Sequence, residues 1–157
     1  MSDMLVKLYE LPAVEPVLAE LAEQGVDIRR AIAPEKHVVV AWVREHFNEA
    51  WASECEAAFA NQPVSCYIAV KDGALIGFGC YDATCRNFFG PTGVASDARK
   101  QGAGKGLLLA CLQAMKLSGY AYAVIGSAGP KEYYSRIVGA TVIEGSTPGI
   151  YRGMLRK

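Results

Sequence analysis

Apolar positions in the first third of the chain recur at two different spacings. Leu5 to Tyr9 alternates weakly, and Val14, Val17, Leu18 and Leu21 then repeat at helical spacing before Gly25, which predicts a strand, a helix over Pro12–Gln24 and a glycine stop. Val26 to Ala31 (VDIRRA) alternates apolar with charged residues as a half-exposed strand does. Two helices follow. Val39, Trp42, Val43 and His46 share one face of the first, Trp51, Cys55, Ala58 and Phe59 share a face of the second, and Asn48 caps the second. Ser65–Lys71 and Ala74–Tyr81 flank Asp72-Gly73, a dipeptide suited to a two-residue type I′ turn, and so predict a hairpin. A strand over Asn87–Val94 runs into a polar loop, Ala95–Gln101. A long helix begins near Gly102–Gly104, buries Leu108, Cys111, Leu112 and Met115, and stops at Gly119. Tyr122–Ile125 reads as a buried strand, Pro130–Val138 as a short helix, and Thr141–Glu144 and Ile150–Leu155 as two last strands. Alternating strands and helices around a central hairpin predict an α/β domain, a mixed sheet flanked by helices.

Composition narrows the function classes. The chain has 157 residues, 52% of them hydrophobic, enough for one core and short for two. Lysine plus arginine and aspartate plus glutamate number 16 each, so no broad basic footprint for nucleic acid exists and any bound anion must be held locally. No stretch approaches the roughly 18 apolar residues needed to span a bilayer. Met1–Met4 has no signal-peptide pattern, so a cytoplasmic location without membrane contact is expected. The five cysteines, Cys55, Cys66, Cys80, Cys85 and Cys111, include no C-x-x-C and sit mostly in apolar patterns, as reduced buried thiols do. His37 and His46 have no partnering cysteine cluster, so no metal site is expected.

The candidate chemistry lies where the strand ending at Val94 passes into the long helix. Gly102, Gly104 and Gly106 let backbone approach a ligand closely, and the first turn of the helix offers unpaired N–H groups at the positive end of its dipole, a cradle for a diphosphate. Arg99, Lys100 and Lys105 add charge there. A P-loop fails twice, since Arg99 stands at its first glycine and Gly106 at its hydroxyl. A dinucleotide fingerprint fails on spacing and on the missing acid near Tyr122–Ser127.

Arg99-Lys100-Gln101-Gly102-Ala103-Gly104 fits a third pattern, R/Q-x-x-G-x-G/A, and Gln101-x-x-Gly104-x-Gly106 fits it in an overlapping frame. Here the sequence resembles the GCN5-related N-acetyltransferase (GNAT) superfamily, over at least Ser65–Leu155. The resemblance implies a single domain over residues 1–157 with a mostly antiparallel GNAT sheet, residues 1–25 being an N-terminal strand-helix elaboration. The strands Phe88–Val94 and Tyr122–Ile125 would lie parallel and splay. It implies acetyl-CoA as cosubstrate, with amides from Gln101, Gly102, Ala103, Gly104 and Lys105 on the diphosphate and main-chain groups of Gly93 and Val94 paired with pantetheine. Tyr133-Tyr134-Ser135-Arg136-Ile137-Val138-Gly139 resembles the segment that carries the family's general acid, which makes Tyr134 the donor to the departing thiolate. Ser127 stands near where many members carry an asparagine and takes over its bond to the pantetheine arm.

Phe88–Val94 contains no carboxylate, so the general base stays open among Asp82, Glu54, His46, Glu144 and a water chain. The implied activity is direct transfer of an acetyl group, in a ternary complex, to a small primary amine such as an amino sugar or an amino-acid-like molecule. The helices around His46–Trp51, the strand end at Tyr81–Asp82 and Gly145–Tyr151 would frame that acceptor. The neutral charge argues against polycationic acceptors. A non-enzymatic CoA-binding sensor or interaction module is the competing expectation, and exposed sheet edges make a homodimer a further one.

Overall fold

The computed structural model describes residues 1–156 as seven strands and five α-helices. In chain order these are β1 (Met4–Lys7), α1 (Glu15–Glu23), β2 (Val26–Arg30), α2 (Lys36–His46), α3 (Glu49–Phe59), β3 (Cys66–Lys71), β4 (Ala74–Tyr81), β5 (Phe88–Val94), α4 (Ala103–Leu117), β6 (Tyr122–Ile125), α5 (Lys131–Val138) and β7 (Thr141–Val142). One mixed sheet runs β2-β3-β4-β5-β6-β1-β7, and β5 with β6 is its parallel pair, the other neighbours being antiparallel.

Local chemistry explains the best-predicted elements. Asp72 and Gly73 take φ of 53° and 74°, the left-handed pair that a type I′ turn requires, and they join β3 to β4. The Asn48 side chain accepts a hydrogen bond from the Trp51 N–H at 2.8 Å and starts α3. Successive residues of β4 face opposite layers. A side chain at Gly79 would meet Cys111 and Leu107 of α4, whereas Phe78 and Cys80 pack with Val39, Val43, Ala52 and Cys55 of α2 and α3. Gly106 lets α4 lie close to α1 and β2, because an added Cβ would come within 2.5 Å of Leu21 and 3.3 Å of Ile28.

The N-terminal strand and helix are present and joined to the sheet: β1 lies between β6 and β7, and Val6 and Leu8 are fully buried. One expectation at the other end of the chain changes. The last two expected strands shrink to the two residues of β7, and Gly149–Tyr151 forms a 3-10 turn in place of a strand over Ile150–Leu155. Gly145, Gly149 and Gly153 all have φ between 61° and 73°, which turns the chain every four residues and leaves no extended run to pair.

Candidate functional site

The parallel strands β5 and β6 pair only at Phe88–Val124 and Phe89–Ile125. Beyond Phe89 the register with β4 shifts, Gly90 takes a φ of 119°, and the two strands part. A cavity of about 370 Å³ fills the gap, lined by Trp51, Gly90, Pro91, Thr92, Ser127 and Tyr134 among others. A second cavity of about 240 Å³ shares its Trp51, Phe89, Pro91 and Ser127 walls and adds Glu54, Thr84 and Tyr151. Phe88 and Phe89 thus both fill the sheet and wall the cavity.

The open edge of β5 differs by one residue from the expectation. Ala95 N–H donates to the Ile76 carbonyl at 2.8 Å, which sets the alternation: Gly93 exchanges hydrogen bonds with Phe78, while Thr92 and Val94 turn their main-chain groups to the open side. Gly93 is therefore not a free main-chain partner. Its requirement is steric, since a Cβ there would stand 2.3 Å from the Phe47 ring. The Val94 carbonyl accepts from Arg99 Nε at 3.4 Å, which ties the first basic residue of the loop back to the strand end.

Residues 96–101 form a 3-10 turn, and Gly102, at φ 84°, caps α4. The left-handed conformation explains Gly102. The amides of Ala103, Gly104 and Lys105 lie in the first turn, where a helix supplies no acceptor, and the first α4 bond runs from Gly106 N–H to the Gly102 carbonyl at 3.2 Å. Space around this turn is open: a Cβ on Gly102 would meet nothing within 4 Å, and one on Gly104 only Val94 at 3.7 Å. Arg99 and Lys100 are exposed, whereas Ala103 is buried. Lys105 is half-buried toward α1, beside Glu20 and Gln24 and next to Gln101, whose Oε1 is buried without a partner.

Tyr134 projects from the first turn of α5, 7% exposed, into the larger cavity. Burial pushes its phenol up to about 12, so it stays protonated through the neutral range. Tyr133 packs edge-on against it with ring centroids 5.5 Å apart and lies under Arg136. Ser127 holds a left-handed φ of 48°, and its N–H donates to the buried Asp3 carboxylate at 2.8 Å, while Ala128 N–H donates to the Ser2 carbonyl at 2.9 Å. The N-terminus thus clasps the loop after β6. Asp3 was not among the expected residues, and a lone acid before an apolar strand carries no sequence signal for this role.

Of the four side chains considered as a base, Glu54 alone reaches the cavities. It projects from α3 and accepts a hydrogen bond from Thr84 Oγ1. Asp82 is spent on the Asn87 N–H at 2.8 Å and the Tyr120 hydroxyl at 3.1 Å. His46 stacks on Trp42 with Nδ1 on its carbonyl, and Glu144 is exposed. Tyr81 binds Arg30 instead of facing the cavity. Tyr151 does line it, and its hydroxyl, like the Phe88 ring, would stand 2.9 Å from a Cβ on Gly126.

The description of the Acetyltransferase (GNAT) family matches residues 27–130, about two thirds of the chain. The chain belongs to the GNAT acetyltransferase family. Solved GNAT structures share its fold. The glucosamine N-acetyltransferase region of a fungal multi-domain β-N-acetylglucosaminidase is 14% identical over 90% of this chain and 19% of that one, with a TM-score of 0.73. A GCN5-related N-acetyltransferase from Sphaerobacter thermophilus is 18% identical over 90% and 48%, with a TM-score of 0.62. One from Kribbella flavida is 19% identical over 90% and 53%, with a TM-score of 0.59. The chain spans at most about half the length of these solved chains, and no curated protein matches it.

Membership of the GNAT family implies acetyl-CoA as cosubstrate, and the open glycine turn at Gly102–Gly104 with its unpaired amides fits a diphosphate. The family match spans Glu54, Val94, the glycine turn and Ser127 but ends before Tyr134, which enters the site through its own geometry. Among the described residues no helix is long and apolar enough to cross a membrane.

Proposed function

We propose that this chain transfers an acetyl group from acetyl-CoA to the primary amine of a small molecule, directly and within a ternary complex. The observation that carries this reading is the position of Glu54 and Tyr134, a carboxylate and a protonated phenol reaching adjoining cavities from opposite sides of the β5–β6 gap. Amides of the Gln101–Lys105 turn hold the diphosphate, and the outward main-chain groups of Thr92 and Val94 hold the pantetheine arm as an added strand would. Ser127 stands beside that arm, its backbone fixed by Asp3. Glu54 accepts the proton that the amine loses on attacking the thioester carbonyl. Tyr134 donates to the sulfur as the C–S bond breaks. No acyl-cysteine is required, because among the described residues no cysteine lines either cavity.

The acceptor side narrows the amine. Trp51, Phe88 and Tyr151 supply aromatic faces, Glu54 supplies one negative charge, and among the described residues no lysine or arginine lines the cavity, Met1 being a further neighbour at the wall. An acceptor bearing its own carboxylate would meet no basic side chain among these residues and would face the Glu54 carboxylate. An amino sugar, neutral apart from its amine and able to stack on aromatic rings, therefore fits better than an amino acid. Thiol release from acetyl-CoA, measured across glucosamine, free amino acids, polyamines, aminoglycosides and short peptides, tests both levels. Glucosamine-type amines are expected to lead. Binding of acetyl-CoA without turnover on any amine would sink the enzyme reading in favour of a CoA-binding sensor, and a preference for polyamines would sink the acceptor argument alone.

A further inference from the structure

Three thiols converge behind the acceptor wall and have no part in the transfer site. Cys55 stands on the core face of α3, and Cys66 and Cys80 face it from β3 and β4 as direct cross-strand partners. Tyr81 N–H donates to the Ser65 carbonyl at 3.0 Å, so the neighbouring Cys66–Cys80 pair is of the close, non-hydrogen-bonded kind. The three Sγ atoms lie within 4.8 Å of one another, and all three residues are fully buried. A three-coordinate centre with the ~2.3 Å bonds usual for thiolates sets its sulfurs at most ~4.0 Å apart. Closing this triangle takes about 1 Å of movement per contact for a planar centre and somewhat more for a pyramidal one, whose sulfurs lie closer together.

Charge selects the atom. The surrounding side chains include Val39, Val43, Ala52, Ala58 and Phe78, and among the described residues no lysine, arginine or histidine is buried. Three thiolates around a monovalent copper ion leave two negative charges uncompensated. Around zinc they leave one, and zinc also wants a fourth donor, which no further cysteine, histidine or carboxylate supplies among the described residues. Three thiolates around a trivalent Group 15 ion leave none. We propose that Cys55, Cys66 and Cys80 form a buried three-thiolate site for trivalent arsenic or antimony. Arsenite, As(OH)₃, exchanges three As–O bonds for three As–S bonds, each thiol proton leaves with a hydroxide as water, and arsenic stays trivalent, so no redox partner is involved. Because Cys55 follows Glu54 on α3, occupancy ties the acceptor wall directly to β3 and β4.

The test uses the full chain, unfolded and refolded with arsenite under a phosphine reductant, because the thiols are closed to solvent in the native fold. The expected result is one arsenic per chain, a native mass gain of one arsenic less three hydrogens, and three sulfur neighbours by X-ray absorption. Cys85→Ala, at the exposed cysteine, should bind as wild type does. Cys55→Ala, Cys66→Ala and Cys80→Ala should each weaken retention at least ~10-fold, since even partners outside the first ligands are worth about that much at metal centres. Two sulfur neighbours in place of three in the wild-type chain would overturn the proposal without recourse to any variant. So would undiminished retention by Cys55→Ala, a Cys66–Cys80 disulfide formed in place of the complex, or bound zinc or copper(I) that arsenite does not displace.

Discussion

On the proposed coenzyme side, from Thr92 to Lys105, the groups presented to the ligand are main-chain amides and carbonyls set out by one continuous stretch of chain. On the proposed acceptor side, Trp51 and Glu54 of α3, Thr84 and Tyr151 are side chains from three separate segments, meeting only because α3 and the C-terminal turn fold over the end of β5. A backbone site depends on conformation at a few positions, above all the left-handed Gly102, and tolerates change in the residues between them. A side-chain site depends on packing across the domain and can change its preference without disturbing the coenzyme grip. One side suits a constant cosubstrate and the other a variable amine.

The largest expected effect comes from breaking the backbone side. Gly104→Glu has room for its Cβ, so the fold should survive while a carboxylate enters the diphosphate cradle. Acetyl-CoA affinity by titration calorimetry should fall on the order of 10²-fold, as expected when charge-assisted hydrogen bonds are lost and repulsion is added. Wild-type affinity in this variant would remove the cradle from the argument.

Tyr134→Phe tests whether the phenol acts on the sulfur or merely packs. Turnover should drop roughly 10²-fold while acetyl-CoA binding stays within about twofold, the pattern of an interaction made only as the bond breaks. A loss of binding equal to the loss of rate would reassign Tyr134 to packing. Glu54→Gln sharpens the comparison from the opposite wall, with kcat/KM for the amine reduced at least about tenfold and acetyl-CoA affinity unchanged. An equal effect on the two substrates would show that the sides are not separable.

The smallest effect concerns stability. Burial raises the Tyr134 phenol to about 12 from an ordinary value near 10, so the folded state holds its proton more tightly than the unfolded state does. Its contribution is complete below pH 10 and is lost as pH rises toward 12. Near pH 11 the wild type should have lost about 1 kcal/mol more than Tyr134→Phe, read from denaturant melts of both proteins across that range.

What the sequence determined by itself was whatever depends on neighbours along the chain. Asp72-Gly73 dictates its turn because both residues tolerate positive φ, Asn48 caps α3 through its own side chain, and the spacing of Gly102 and Gly104 marks a helix entry that leaves its amides open. Tertiary structure decided the rest. Which main-chain groups of β5 face outward follows from a register with β4 that Gly93 and Val94 do not encode, so the expectation at Gly93 was off by one residue. Glu54 was one acid among several until the fold spent Asp82 on a loop and left Glu144 in solvent. Asp3 gained its role only because β1 inserts beside β6 and brings the N-terminus against Ser127. Hydrophobic periodicity identifies which face of an element is buried, but a polar side chain takes its function from partners distant in sequence, and only packing brings them together.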